Sequence, residues 1–341
     1  MIQQAVMTRP GNIEFQEVRM PVAQPDEVLI QVKRIGICGS DIHVWHGLHP
    51  YTSYPVVQGH EISGLVTEAG RNVKEQFTLG DKVVFLPQVT CGVCYPCRNG
   101  MEHICDNLKV MGFQTNGAAQ EFFTVKADKV LKLPNIVTLD QAALIEPISV
   151  GVHAVGRAGG VEGKRVVVLG AGTIGNLLAQ VAVASGARSL LITDISEYKL
   201  DKARQSGIMH AVNPHKVNLG EAIAAVLGPD KADVLFECVG SQETISDAIY
   251  SARKGSTIVV VGVYGTRPEV DIGLVQDREL TVSGTLMYQK KDFERAIELV
   301  SNGKMRLEGI VTHRFPFRKY PDAYHAIELL DGENMKVMME L

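Results

Sequence analysis

Over the first 150 residues, apolar positions come in short alternating runs broken by Gly and Pro. The stretches EVLIQVKRIGI, ISGLVTEAG, DKVVFLPQV, AAQEFFTV and KVLKLP are rich in Val, Ile, Phe and Leu. Runs of this kind bounded by turn residues predict short strands. Their even spacing predicts a barrel-like or sandwich β domain. From Lys164 the rhythm changes. RVVVLGAG, SLLITDIS, DVLFECVG and STIVVVGVYG are strand-like apolar runs. Between them lie the helical stretches IGNLLAQVAVASGA and EYKLDKARQSG and a helix around 244–253. Apolar strands alternating with helices predict a parallel sheet covered on both faces. After about residue 285 the alternation stops. DFERAIELVSNG and YPDAYHAIELLDG then read as amphipathic helices, with VTHRFPF as a strand between them. No internal repeat, low-complexity segment or Pro/Ser-rich linker interrupts the chain.

A length of 341 residues agrees with two domains at roughly 150 residues each. Hydrophobic residues make up 45% and charged residues 21%, the profile of a folded globular protein. The net charge of −4 argues against a nucleic-acid or anionic-lipid partner. The opening MIQQAVMTRPGNIEF lacks the charged and apolar regions of a signal peptide. No apolar run reaches the roughly 20 residues of a membrane span. A cytoplasmic location is therefore the default expectation.

Gly170-Ala171-Gly172-Thr173-Ile174-Gly175 fits the pattern GxGxxG. It follows the strand RVVVL and opens a helix, the context a dinucleotide fingerprint requires. Gly170 permits the tight turn, Gly172 lets backbone approach a pyrophosphate, and Gly175 lets helix and strand pack closely. The helix start offers free N–H groups and a positive dipole end to phosphate. Asp194 ends the next strand, where a carboxylate accepts ribose hydroxyls and repels a 2′-phosphate. This favours NAD over NADP; the structural alternative makes Asp194 a helix cap. Lys199 is a further candidate near that ribose, or an exposed helix lysine.

Of six cysteines, four fall between positions 91 and 105, as Cys91-x2-Cys94-x2-Cys97-x7-Cys105. In a long chain with no sign of secretion, such a cluster reads as metal ligands rather than disulfides. Four thiolates on tight turns fit a structural zinc. An iron–sulfur cluster is the other chemistry for such spacing, but nothing else here suggests electron transfer. A zinc with four protein ligands has no position left for substrate.

Cys38 lies in GICGSDIH, His60 and Glu61 in GHE, and Glu146 in IEP. Singly, each has an ordinary structural explanation. Together, in this order, with the cysteine lobe and GAGTIG, they resemble the zinc-containing medium-chain dehydrogenases. The similarity covers essentially the whole chain. It points to the polyol (sorbitol-type), sugar-acid (L-galactonate-type) and threonine dehydrogenase branch, because alcohol dehydrogenases of this family typically carry cysteine where Glu146 stands.

The resemblance implies a GroES-like catalytic domain over 1–150 with both zinc sites. It implies a Rossmann NAD-binding domain over 151–284, with 285–341 returning to complete the first. The active site would lie in the cleft between the domains. Cys38 and His60 would bind a catalytic zinc, with Glu61 or Glu146 as the carboxylate ligand. Asp41 would orient His60. A secondary alcohol would lose its proton through Ser40, the nicotinamide ribose and His43, and its hydride to NAD. Ser40 and His43 otherwise serve as turn and packing residues. Two zinc ions per chain, a polyol or sugar-acid substrate, and a homodimer or homotetramer follow from the same resemblance. STIVVVGVYG is the strand expected to pair across subunits. Tyr51, Tyr54, Phe113 and Tyr288 are candidates for the pocket. Lys290, Lys291 and Arg157 are candidates for binding a substrate carboxylate. Cys238 is expected in the core near the cofactor. The competing readings are L-threonine 3-dehydrogenase, a non-catalytic nucleotide-binding protein of the same fold, and a zinc-finger regulator, which the acidic charge opposes.

Overall fold

The structure is a computed structural model that describes residues 1–330 and 332–341. It separates into two compact units, 1–146 with 311–341, and 147–310.

The first unit is built on a sheet of seven strands among the described residues. Its spine is Glu27–Ile37, paired antiparallel with Glu61–Ala69 on one side. On its other side Phe122–Lys126 pairs with one end and Lys336–Glu340 with the other. Val28, Ile30, Val32, Ile35 and Ile37 of the spine all lie in the core. Lys336–Glu340 carries Val311–Pro316 beside it in parallel. The C-terminal residues thus return to the sheet begun at residue 27. A separate hairpin pairs Ile2–Arg9 with Asn12–Val18.

The second unit holds a six-stranded, wholly parallel sheet. Its order is His210–Val212, Ser189–Thr193, Arg165–Leu169, Val234–Glu237, Thr257–Val260, Thr281–Gly284. Val166, Val167 and Val168 are fully buried in succession, as expected of a strand covered on both faces. The order reverses between Arg165–Leu169 and Val234–Glu237. That switch point, beyond the carboxyl ends of the strands, is where open parallel sheets bind ligands.

Two expectations need adjusting. The return to the first unit begins at Val311, not at 285. Helix Lys290–Ser301 belongs to the second unit, burying Phe293, Ala296, Leu299 and Val300. It is held there by a buried 2.8 Å bond between Asp292 and His153. Helical periodicity shows that a face is covered, but not by which sheet. The strand in STIVVVGVYG is also not an edge. Thr257–Val260 has a partner on each side, and the edge on that side is the short strand Thr281–Gly284.

Candidate functional site

In the first unit, strand pairing brings the metal-ligand candidates together. Gly36 pairs with Glu61, so Cys38, just past the end of one strand, lies near His60, just before the start of the other. The ligand atoms of Cys38, His60 and Glu61 all fall within 4.8 Å of one another. His60 and Glu61 are buried and Cys38 is half-buried. Gly36 makes room for this arrangement. A Cβ there would stand 2.2 Å from Glu61 Oε2.

Cys38 is also the N-cap of helix Gly39–Trp45, and Asp41 Oδ2 accepts its backbone N–H at 2.8 Å. Asp41 Oδ1 lies 3.6 Å from His60 Nδ1, beyond hydrogen-bond length but within charge contact. Burial disfavours a charged His60, yet Asp41, Cys38 and Glu146 overcome this and raise its pKa to about 10. The same negative surroundings are what a bound metal cation would neutralise. Glu146 acts electrostatically on both His60 and Lys336, but it is not among the three groups whose ligand atoms converge. Ser40 is half-buried and His43 exposed, one helical turn apart.

Three side chains at this site escaped the sequence reading. Lys336 Nζ, 3% exposed, donates to Glu61 Oε1 at 2.7 Å and Oε2 at 2.6 Å. Gln58 and Tyr324 stand behind Asp41. All three are distant from their partners in sequence or belong to no metal motif. The position of Gln58 beside Gly59-His60-Glu61 was its one available signal.

The four cysteines form a second cluster, with all four sulfurs within 4.8 Å and none in a disulfide. Cys105 Sγ lies 3.6 Å from Cys91 Sγ and 3.7 Å from Cys94 Sγ. A tetrahedron with 2.3 Å zinc–sulfur arms has edges of about 3.8 Å, so these thiols fit that ion. Backbone N–H groups of Val93 and Cys94 lower the Cys91 thiol to about 6, while burial and the neighbouring sulfurs push Cys97 up to about 12.

A cavity of about 250 Å³ is bounded by Tyr51, Ser53, Phe113, Gln114, Thr115 and Asn116, among others. The Phe113 ring lies 4.9 Å from that of His60. Of the expected pocket residues, Tyr51 and Phe113 therefore fall together. Tyr54 instead bonds the Val44 carbonyl. Tyr288 is 1% exposed and packs on Phe293. Arg157 is engaged by Gly284 O and Ser283 Oγ, and Lys290 and Lys291 are exposed.

In the second unit, the glycine-rich turn links strand Arg165–Leu169 to helix Thr173–Ala184. Gly172 is the N-cap and brings no side-chain cap, leaving the first helical N–H groups open to an anion. Thr173 and Ile174 begin the helix. A Cβ on Gly175 would stand 1.9 Å from Gly170 O, so only glycine fits. Asp194 Oδ2 accepts from Ala171 N at 2.8 Å and Oδ1 from Ser196 N at 2.9 Å. The helix cap is Ser196; Asp194 ties the second strand to the glycine turn. Lys199 is half-buried in that helix. Cys238 backs the turn, donating its N–H to Leu169 O at 2.9 Å.

Comparison with known proteins agrees with both units. Residues 24–135 match the alcohol dehydrogenase GroES-like domain and residues 173–302 the zinc-binding dehydrogenase domain. The chain belongs to the zinc-binding alcohol dehydrogenases. It is 38% identical to the 2-dehydro-3-deoxy-L-galactonate 5-dehydrogenase of Pseudoalteromonas atlantica, covering 97% of this chain and 96% of that one. It is 37% identical to the D-xylulose reductase of Saccharomyces cerevisiae, covering 98% and 96%. A zinc-binding dehydrogenase from Sinorhizobium meliloti, solved with NADP bound, superposes with a TM-score of 0.91 at 30% identity, covering 100% and 99%.

Proposed function

We propose that the protein oxidises a secondary alcohol of a polyol or sugar acid, with zinc held by Cys38, His60 and a carboxylate. The observation carrying this is the convergence of Cys38, His60 and Glu61 within 4.8 Å at a largely buried point. Relatives named for a sugar acid and for a sugar ketone favour the substrate class. Zinc when bound supplies a Lewis acid that eases loss of the hydroxyl proton, and the dinucleotide when bound accepts hydride. Thiolate, imidazole and carboxylate are a donor set that leaves one position open. Glu61 is the resting carboxylate ligand on this reading, because it and not Glu146 lies in the converging group.

The hydroxyl proton would leave by way of Ser40 and His43, the latter exposed one turn along the same helix. Asp41 orients His60 from the side of its Nδ1. Gly170, Gly172, Thr173, Ile174 and Gly175 cradle the pyrophosphate. Asp194 faces the adenosine ribose and selects NAD, although the solved relative carries NADP. Lys199, half-buried in the helix that follows, would stand near the same ribose. Cys91, Cys94, Cys97 and Cys105 hold a second, structural zinc.

The chain acts as a homodimer or homotetramer in the cytoplasm. Apart from the Gly284 carbonyl taken by Arg157, the sheet edge Thr281–Gly284 offers backbone for self-association, and six unbridged cysteines suit a reducing compartment. No helix among the described residues is long and apolar enough to cross a membrane. Oxidation of sorbitol, xylitol, L-galactonate, L-gulonate and L-threonine with NAD and with NADP tests the proposal. Turnover of simple alcohols alone would overturn the substrate class. Turnover of L-threonine alone would move the chain to that branch.

A further inference from the structure

Gln58 precedes the Gly59-His60-Glu61 segment and is 2% exposed. Its Nε2 donates to Asp41 Oδ1 at 3.0 Å and lies 3.4 Å from the Asp41 carbonyl. Its Oε1 accepts from the Tyr324 hydroxyl at 2.6 Å. A phenol donor on one side and a carboxylate acceptor on the other leave the amide one satisfactory orientation. Tyr324 is fully buried, and its ring stacks on Trp45 with centroids 4.9 Å apart. Trp45 in turn donates to Glu328 at 3.0 Å. Tyr324 and Glu328 both lie on helix Tyr320–Leu329, which comes from the returning segment.

The chain of bonds ends at Asp41, which faces both metal-bearing segments. One oxygen takes the Cys38 N–H at 2.8 Å and the other lies 3.6 Å from His60 Nδ1. Asp41 is 2% exposed, so its rotamer is set by these neighbours rather than by water. A buried carboxylate that lost Gln58 would lose a donor it cannot replace from solvent, and would turn to satisfy itself elsewhere.

We infer that Gln58 and Tyr324 are positioning residues that fix Asp41, and through it set how long zinc stays at Cys38 and His60. The inference rests on the proposed zinc site. It extends the site to a helix about 280 residues further along the chain, without contact to metal or substrate.

The test is zinc release from the loaded full-length protein to a chromophoric chelator, followed in time, with thermal unfolding as the control for fold. Tyr324→Phe removes one hydroxyl and keeps the stacked ring. Gln58→Leu removes all the side-chain bonds to Asp41 and Tyr324 at similar volume. Wild type should release two zinc ions in separate phases. Each variant should release one ion about 10-fold faster, leaving the other phase at the wild-type rate. Wild-type release in both variants would overturn the inference. So would equal acceleration of both phases, which would mark a general loosening. If wild type holds only the zinc of the four cysteines, the proposed zinc site itself fails, a result distinguishable from the other two. If Gln58→Leu does not fold, Tyr324→Phe decides alone.

Discussion

Lys336 and Glu61 form a fully buried ion pair, with Nζ 2.6 Å from Oε2 and 2.7 Å from Oε1. Lys336 also donates to Ile37 O at 3.1 Å, one residue before Cys38. A single ammonium therefore ties the returning C-terminal strand to both strands that present metal-ligand candidates. Burial alone would lower the pKa of Lys336, but Glu61 and Cys38 more than reverse this, so the lysine stays charged. Removing one partner of such a pair typically costs about 3–5 kcal/mol. Lys336→Met should lower stability by that order in denaturant unfolding and reduce turnover together with it. Unchanged unfolding would show that the pair is dispensable.

Gly36 tests the same carboxylate from the other side. Its added Cβ would stand 2.2 Å from Glu61 Oε2, so Gly36→Ala must displace the carboxylate or the strand. Overpacking of this kind costs about 1–3 kcal/mol. The variant should lose turnover by at least about 10-fold, more than its unfolding midpoint accounts for. Wild-type kinetics would show that the position of Glu61 is not critical.

Asp194 is assigned to cofactor choice. Asp194→Ser removes the charge that repels a 2′-phosphate and keeps a short acceptor for Ala171 N–H and Ser196 N–H. KM for NAD should rise about 10-fold and use of NADP should appear. Steady-state kinetics with both dinucleotides read this directly. A wild type that already prefers NADP would contradict the assignment.

Asp140 joins Arg34 at 2.6 Å and Arg314 at 2.7 Å, linking the central strand to the returning segment. Burial raises its pKa, but both guanidinium groups more than offset this and leave it lowered. A depressed carboxylate stabilises above its unfolded pKa of about 3.9, and the contribution fades as pH falls through the folded value. Asp140→Asn should therefore cost about 1 kcal/mol at pH 7. The gap from wild type should narrow below about pH 4. A constant gap across that range would exclude the ion pairs as its source.

Much of the site was legible because its residues sit in short local motifs. GICGSDIH, GHE, the four-cysteine run and GAGTIG each gather candidate residues within a short stretch of chain. Lys336, Tyr324 and Gln58 were not legible. The bonds Lys336–Glu61 and Tyr324–Gln58 span 275 and 266 residues, and no local period encodes such partners. The edge strand Thr281–Gly284 carries a single apolar residue, Val282, and that one is exposed, so it lacks an apolar signature. The division at Val311 depends on which sheet helix Lys290–Ser301 covers, which tertiary packing decides.

Metal content of Cys38→Ser, measured with its NAD-linked turnover, tests the central claim most directly. Wild type should hold two zinc ions per chain. The variant should hold one, retained by the four cysteines, with turnover reduced by at least about 1,000-fold and the fold preserved. Two zinc ions in the variant, or turnover near wild type, would contradict a catalytic metal held by Cys38 and His60.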